Sequence, residues 1–148
     1  MIKVKNETIS EFIKNDVERT LLLYKEKHKK EFSISNFLEN EENKTKFYNI
    51  LKAYSVFDSE LGYSQSTNYI VAILMYNLND ERNSFWAFYQ IMNHFNWRKL
   101  YLEKSEYLLK KLEKFNVLLS EKLPNLHNYF EENDVIFLIL KSCFLLFI

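Results

Sequence analysis

The chain has 148 residues, 47% hydrophobic and 27% charged, a length that suits one domain with a real core. Twenty basic and twenty acidic residues cancel, so the basic excess of a nucleic-acid footprint is missing. One Gly and one Pro supply too few turns for a many-stranded sandwich or barrel, and 17% aromatic residues argue against disorder. A soluble, mostly helical domain remains.

Met1-Ile2-Lys3-Val4-Lys5 leads into polar residues, with no apolar run of signal-peptide type. Thr8-Ile9-Ser10-Glu11 reads as a capping box, and Ile9, Phe12, Ile13 and Val17 follow at helical spacing. This first helix is expected to fray near Arg19 and Thr20. Residues 25–46 are polar and read as a solvated connection; Glu26 and Glu31 bracket Lys27-His28-Lys29-Lys30 and blunt it as a membrane-binding patch. Phe47, Ile50, Leu51 and Tyr54 mark a second helix, ending near Asp58. Ser59 to Tyr63 is a turn holding the only glycine, Gly62, at a place where the backbone needs an unusual conformation.

Tyr69 to Met75 is apolar almost all round and reads as a central, buried helix. Phe85, Trp86, Phe88, Tyr89, Met92 and Phe95 form an aromatic face expected in the core. Leu108, Leu112, Phe115 and Leu119 mark a long helix ending before Pro124, and Leu126 with Phe130 a short one after it. The run 135–148 is apolar apart from Lys141 and Ser142, and is shorter than the ~20 residues of a membrane-spanning helix. It reads as a core helix. Cys143, the only cysteine, reads as a small buried hydrophobe; no intrachain disulfide can form, which fits a reducing compartment. The fold class is therefore all-α, an irregular array of helices in one domain over 1–148.

Few constellations of chemistry survive inspection. His28, His94 and His127 lack metal-ligand spacing, and one glycine cannot build a phosphate-cradling loop. Asp16 and Arg19 sit three apart on one helical face, which by itself implies no more than a surface ion pair. Gln65 follows the turn and precedes the most buried helix.

Two segments give these residues a context. Ile13-Lys14-Asn15-Asp16-Val17-Glu18-Arg19-Thr20 resembles the I-x-x-D-x-x-R-T motif of TBC domains, the Rab GTPase-activating family. Asn49 to Gln65 resembles the segment leading into that family's Y-x-Q motif, here Tyr63-Ser64-Gln65. Asn68-Tyr69-Ile70, Phe85-Trp86 and the stretch from Leu118 to His127 are similar in the same order.

The resemblance implies a GTPase activator for a Rab-family small GTPase in its GTP-bound state, acting in vesicle trafficking. Arg19 would be the arginine finger and Gln65 the glutamine finger. Asp16 would orient the arginine, Tyr63 would pack near the glutamine and Thr20 would help hold the loop. The chain would have no cofactor of its own and no metal, because GTP and magnesium are carried by the partner. It would not be an enzyme by itself, since it completes the partner's active site. It would be cytoplasmic and act at membrane surfaces, with peripheral membrane association left open. The resemblance covers the N-terminal and middle part of a TBC domain, so the domain is expected to be truncated at both ends. Ser66 stands where the family usually has glycine, and a side chain there would crowd the Rab or alter the backbone that aims Gln65. The alternatives are a catalytically weak TBC-like Rab-binding or scaffold protein, or a helical interaction module with no GTPase partner.

Overall fold

A computed structural model describes residues 6–27, 34–102 and 105–133. Every regular element among them is an α-helix. They fall into two compact units, Met1–Trp97 and Arg98–Ile148.

The first unit holds five helices: α1 (Asn6–Lys27), α2 (Ile34–Glu39), α3 (Glu41–Phe57), α4 (Thr67–Leu78) and α5 (Glu81–Asn93). α1 packs against α2, α3 and α4, while α3, α4 and α5 pack against one another. The contacts follow the helical period. α1 buries Ile13, Val17, Thr20 and Leu21; α3 buries Phe47, Ile50, Leu51 and Tyr54; α5 buries Ser84, Phe88 and Met92. These are spacings of three and four, one stripe per helix. Tyr54 and Phe88 meet edge to face with ring centroids 4.7 Å apart. Ala72 is fully buried on α4. Asn40 starts α3 by accepting from the amides of Glu42 and Asn43, and Asp80 starts α5 by accepting from the Asn83 amide at 2.7 Å, as capping residues do.

The second unit holds α6 (Arg98–Tyr101), α7 (Glu106–Lys122) and α8 (Pro124–Glu132). α7 starts at Ser105, whose hydroxyl accepts from the Leu108 amide at 3.0 Å. It buries Leu112 and Leu119, two turns apart, and ends before Pro124, which opens α8 at a position where its missing N–H costs nothing.

The helices expected over Phe47 to Asp58, over Leu108 to Leu119 and after Pro124 are thus present, and Gly62 adopts a left-handed φ of 66°. Three expectations need correction. α1 does not fray at Arg19 and Thr20 but runs on to Lys27, and Thr8 lies inside it instead of capping it. Leu21, Leu22, Leu23, Lys25, Glu26 and Lys27 are good helix formers and Leu21 is buried, so propensity and packing both carry the helix past Thr20. Residues 25–46 are not a single solvated connection, because α2 and the first turns of α3 lie within them and Leu38 is buried. The aromatic face of α5 is only partly core. Phe88 and Met92 are buried, but Trp86 and Phe95 are about half or more exposed. Phe57, Tyr89, Trp86 and Phe85 instead form an edge-to-face row at the surface, with centroid spacings of 5.4, 5.6 and 5.4 Å. The helix over Tyr69 to Met75 is central, yet Ile73 is exposed on it. The readings of Lys27-His28-Lys29-Lys30 as a cluster, of the run 135–148 and of Cys143 lie outside the described residues.

Candidate functional site

Asp16, Arg19 and Thr20 occupy one turn of α1. Asp16 and Thr20 face inward, whereas the Arg19 side chain is 57% exposed. The Asp16 carboxylate is the hub. Its Oδ1 lies 3.3 Å from Arg19 Nη1. Its Oδ2 accepts from the Tyr63 hydroxyl at 2.8 Å, across 47 positions of sequence. Each carboxylate oxygen therefore has its own partner, and the guanidinium is braced from below while its outer face stays open to solvent.

Tyrosines surround this carboxylate. Burial pushes the Tyr63 hydroxyl well above its ordinary pKa, and the hydrogen bond to Asp16 and the charge of Asp16 push in the same direction. Tyr63 is thus held as a neutral donor. Tyr69 is raised as well, first by burial and then by the Asp16 charge, with Arg19 opposing. Tyr24 is raised by burial and by Tyr69.

A second chain of bonds runs deeper. The Thr20 hydroxyl donates to the Asp16 carbonyl at 2.6 Å and accepts from Asn68 Nδ2 at 2.7 Å. Thr20 and Asn68 are both fully buried. Asn68 belongs to the first turn of α4, so this bond joins α4 to α1.

Gln65 sits on the connection between α3 and α4, and local hydrogen bonds shape that connection. Asp58 ends α3; its Oδ1 accepts from the Leu61 amide at 3.2 Å and its carbonyl from the Gly62 amide at 2.7 Å. The left-handed Gly62 then turns the chain toward Tyr63. Past it, the Ser64 carbonyl accepts from the Thr67 hydroxyl at 2.6 Å and from the Thr67 amide at 3.3 Å. Ser66 has φ 81° and ψ −19°. The exposed Gln65 is held between a pinned Ser64 and a left-handed Ser66.

The Rab-GTPase-TBC domain matches residues 2–148. The chain belongs to that family. The GTPase-activating protein GYP5 of Eremothecium gossypii is 37% identical over 82 residues, 55% of this chain and 10% of the relative. GYP5 of Saccharomyces cerevisiae is 34% identical over 60% of this chain and 10% of its own length. The Rab GTPase-activating protein eat-17 of Caenorhabditis elegans is 29% identical over 64% of this chain and 10% of its own length. The chain thus spans about a tenth of these curated relatives.

Membership of the TBC family gives the geometry a frame. Asp16, Arg19, Thr20 and Tyr63 are gathered in one place, and Gln65 follows Tyr63 by two residues. Thr20 is part of α1 and bonds to Asn68 on α4, not to the loop itself. The residue after the glutamine sits in the left-handed region, where a Cβ costs roughly 1–2 kcal/mol and glycine is at ease. Asn68 carries no role in the sequence motifs; its one signal there is a lone amide opening an otherwise apolar helical run. Among the described residues no group of three His, Cys, Asp or Glu is arranged to hold a metal. No helix among them is long and apolar enough to cross a membrane.

Proposed function

We propose that the chain, acting as one TBC unit over 1–148, stimulates GTP hydrolysis by a Rab-family small GTPase in its GTP-bound state. Arg19 and Gln65 enter the partner's active site in trans, and the chain has no turnover of its own. The observation that carries this reading is the exposed Arg19 guanidinium braced by a buried Asp16, which is itself bonded to Tyr63 beside Gln65. The names of the relatives, which describe GTPase-activating proteins, support it.

The chemistry follows from the residue types. In hydrolysis of the γ-phosphate, charge builds on the oxygens between the β- and γ-phosphates. A guanidinium donates several fixed hydrogen bonds and never loses its charge. Placed in a desolvated interface, it stabilises the transition state more than the ground state. Asp16 fixes its direction without covering its outer edge. The Gln65 carboxamide both donates and accepts, so it can orient an attacking water. GTP and magnesium come with the partner, and this chain supplies no cofactor or metal. The setting is the cytoplasmic face of membranes in vesicle trafficking, where such a partner resides.

Ser66 favours the runner-up reading, a TBC-like binding protein with weak activation. Its left-handed backbone adds strain to the segment that aims Gln65. Single-turnover GTP hydrolysis by a panel of GTP-loaded Rab proteins separates the two. Under the first reading wild type accelerates at least one of them, Arg19→Ala loses on the order of 10³ in rate, and Gln65→Ala is also impaired. Tight binding to a GTP-loaded Rab with no acceleration would establish the runner-up.

A further inference from the structure

We propose that Asn68 is a positioning residue for the two fingers, setting the spacing between the arginine-bearing helix and the glutamine-bearing segment. This rests on the Arg19–Gln65 reading above.

The geometry is that of a double strut. Two hydrogen bonds tie the Gln65 segment to α1: Tyr63 to Asp16 at 2.8 Å and Asn68 to Thr20 at 2.7 Å. Tyr63 lies two residues before Gln65 and Asn68 three after it. Asp16 lies three residues before Arg19 and Thr20 one after it. Each finger is thus flanked on both sides by a residue bonded to the other finger's segment. α1 also packs on α3 and α4 at the two ends of this connection; the two bonds add direction to that packing.

The Asn68 strut has a defined polarity. The hydroxyl hydrogen of Thr20 is committed to the Asp16 carbonyl, so Thr20 can only accept from Asn68, and the amide nitrogen must face it. Asn68 Oδ1 then points the other way, buried and without a hydrogen-bond partner among the described residues. An unpartnered buried acceptor is unfavourable, whereas an apolar side chain of similar size would avoid that cost. Packing alone therefore does not favour Asn here. What it supplies is the directed N–H toward Thr20, and through Thr20 a hold on the turn of α1 that carries Arg19.

The test compares wild type, Asn68→Ala and Arg19→Ala with the double variant. The readouts are maximal rate and KM on the most responsive GTP-loaded Rab, and thermal melting. A misplaced finger loses transition-state contacts but not docking. The expected result is a fall in maximal rate of about tenfold or more for Asn68→Ala, with KM changed less than about threefold. In the Arg19→Ala background the further loss should be clearly smaller than in the presence of Arg19, because only the Gln65 finger is left to be misplaced. Thr20→Val removes the acceptor while keeping the volume, and should reproduce the loss if Asn68→Ala folds poorly. A well-folded Asn68→Ala with full maximal rate, or an equal loss with and without Arg19, would overturn the assignment while leaving the fingers intact. Full acceleration by Arg19→Ala, or none by wild type, would overturn the finger reading, and the role of Asn68 with it.

Discussion

Two residues of the α3–α4 connection adopt left-handed backbone, and only one is glycine. Gly62 has φ 66° with nothing within 4 Å of a Cβ built on it, so Gly62→Ala should cost about 1 kcal/mol from the backbone alone. Ser66 already bears that penalty at φ 81°. Ser66→Gly relieves it, less the greater chain entropy that glycine loses on folding. The expected net gain is about 0.5–1 kcal/mol in chemical denaturation, with an activation rate equal to or above wild type. A loss of stability would mean that the Ser66 side chain holds the turn by contacts that outweigh its strain. At this scale Asp16, Arg19, Tyr63 and Gln65 were legible because motif spacing carries them. The Asn68–Thr20 bond was not, because it spans 48 positions and depends on how α4 packs on α1.

Helix α1 presents more than the arginine. Phe12 and Leu22 are 55% and 58% exposed, and they lie seven positions before and three after Arg19, on the same helical face. Exposed apolar side chains beside the finger offer area that a docking partner can bury. Joint replacement of Phe12 and Leu22 by Ala should therefore raise KM for the GTP-loaded partner by about tenfold or more, each truncation costing about 1 kcal/mol, while maximal rate stays within about twofold. A fall in maximal rate with KM unchanged would show that these side chains shape Arg19 and do not dock. Element boundaries were legible where a breaker or cap marks them, as at Asp58 and Pro124. They were not at the end of α1, where no breaker or cap stands between Thr20 and Lys27 and burial of Leu21 holds the helix onward. The aromatic face of α5 was misjudged for a related reason. Composition shows that rings recur at helical spacing, but which of them finds a facing helix is settled only by packing.

Across the molecule, buried tyrosines contribute to how stability responds to alkali. The chain has ten. Burial holds Tyr63, in the first unit, well above its ordinary pKa of 10.0, helped by Asp16. In the second unit burial pushes Tyr101 up to about 12. Tyr24 and Tyr69 are raised in the same direction. In the unfolded chain these hydroxyls ionise near pH 10, whereas in the folded chain their ionisation is shifted to higher pH. Above pH 10 the native state thus binds more protons than the unfolded state, so stability falls as pH rises. Below pH 10 both states are protonated and the contribution is fully present. Tyr63 and Tyr101, the two most strongly raised, each add a slope of up to about 1.4 kcal/mol per pH unit. For Tyr101 the window runs from pH 10.0 to about 12. Denaturant unfolding at intervals from pH 8 to pH 11 should give a plateau followed by a decline. Tyr63→Phe removes one of the titrating groups and also the donor to Asp16 Oδ2. It should be less stable than wild type at pH 8 by about 1.5–3 kcal/mol, the usual worth of a hydrogen bond to a charged group. Its decline above pH 10 should nevertheless be shallower, so the two curves converge. Parallel curves would show that Tyr63 ionises alike in both states, and the neutral-donor role given to it beside Asp16 would then be lost.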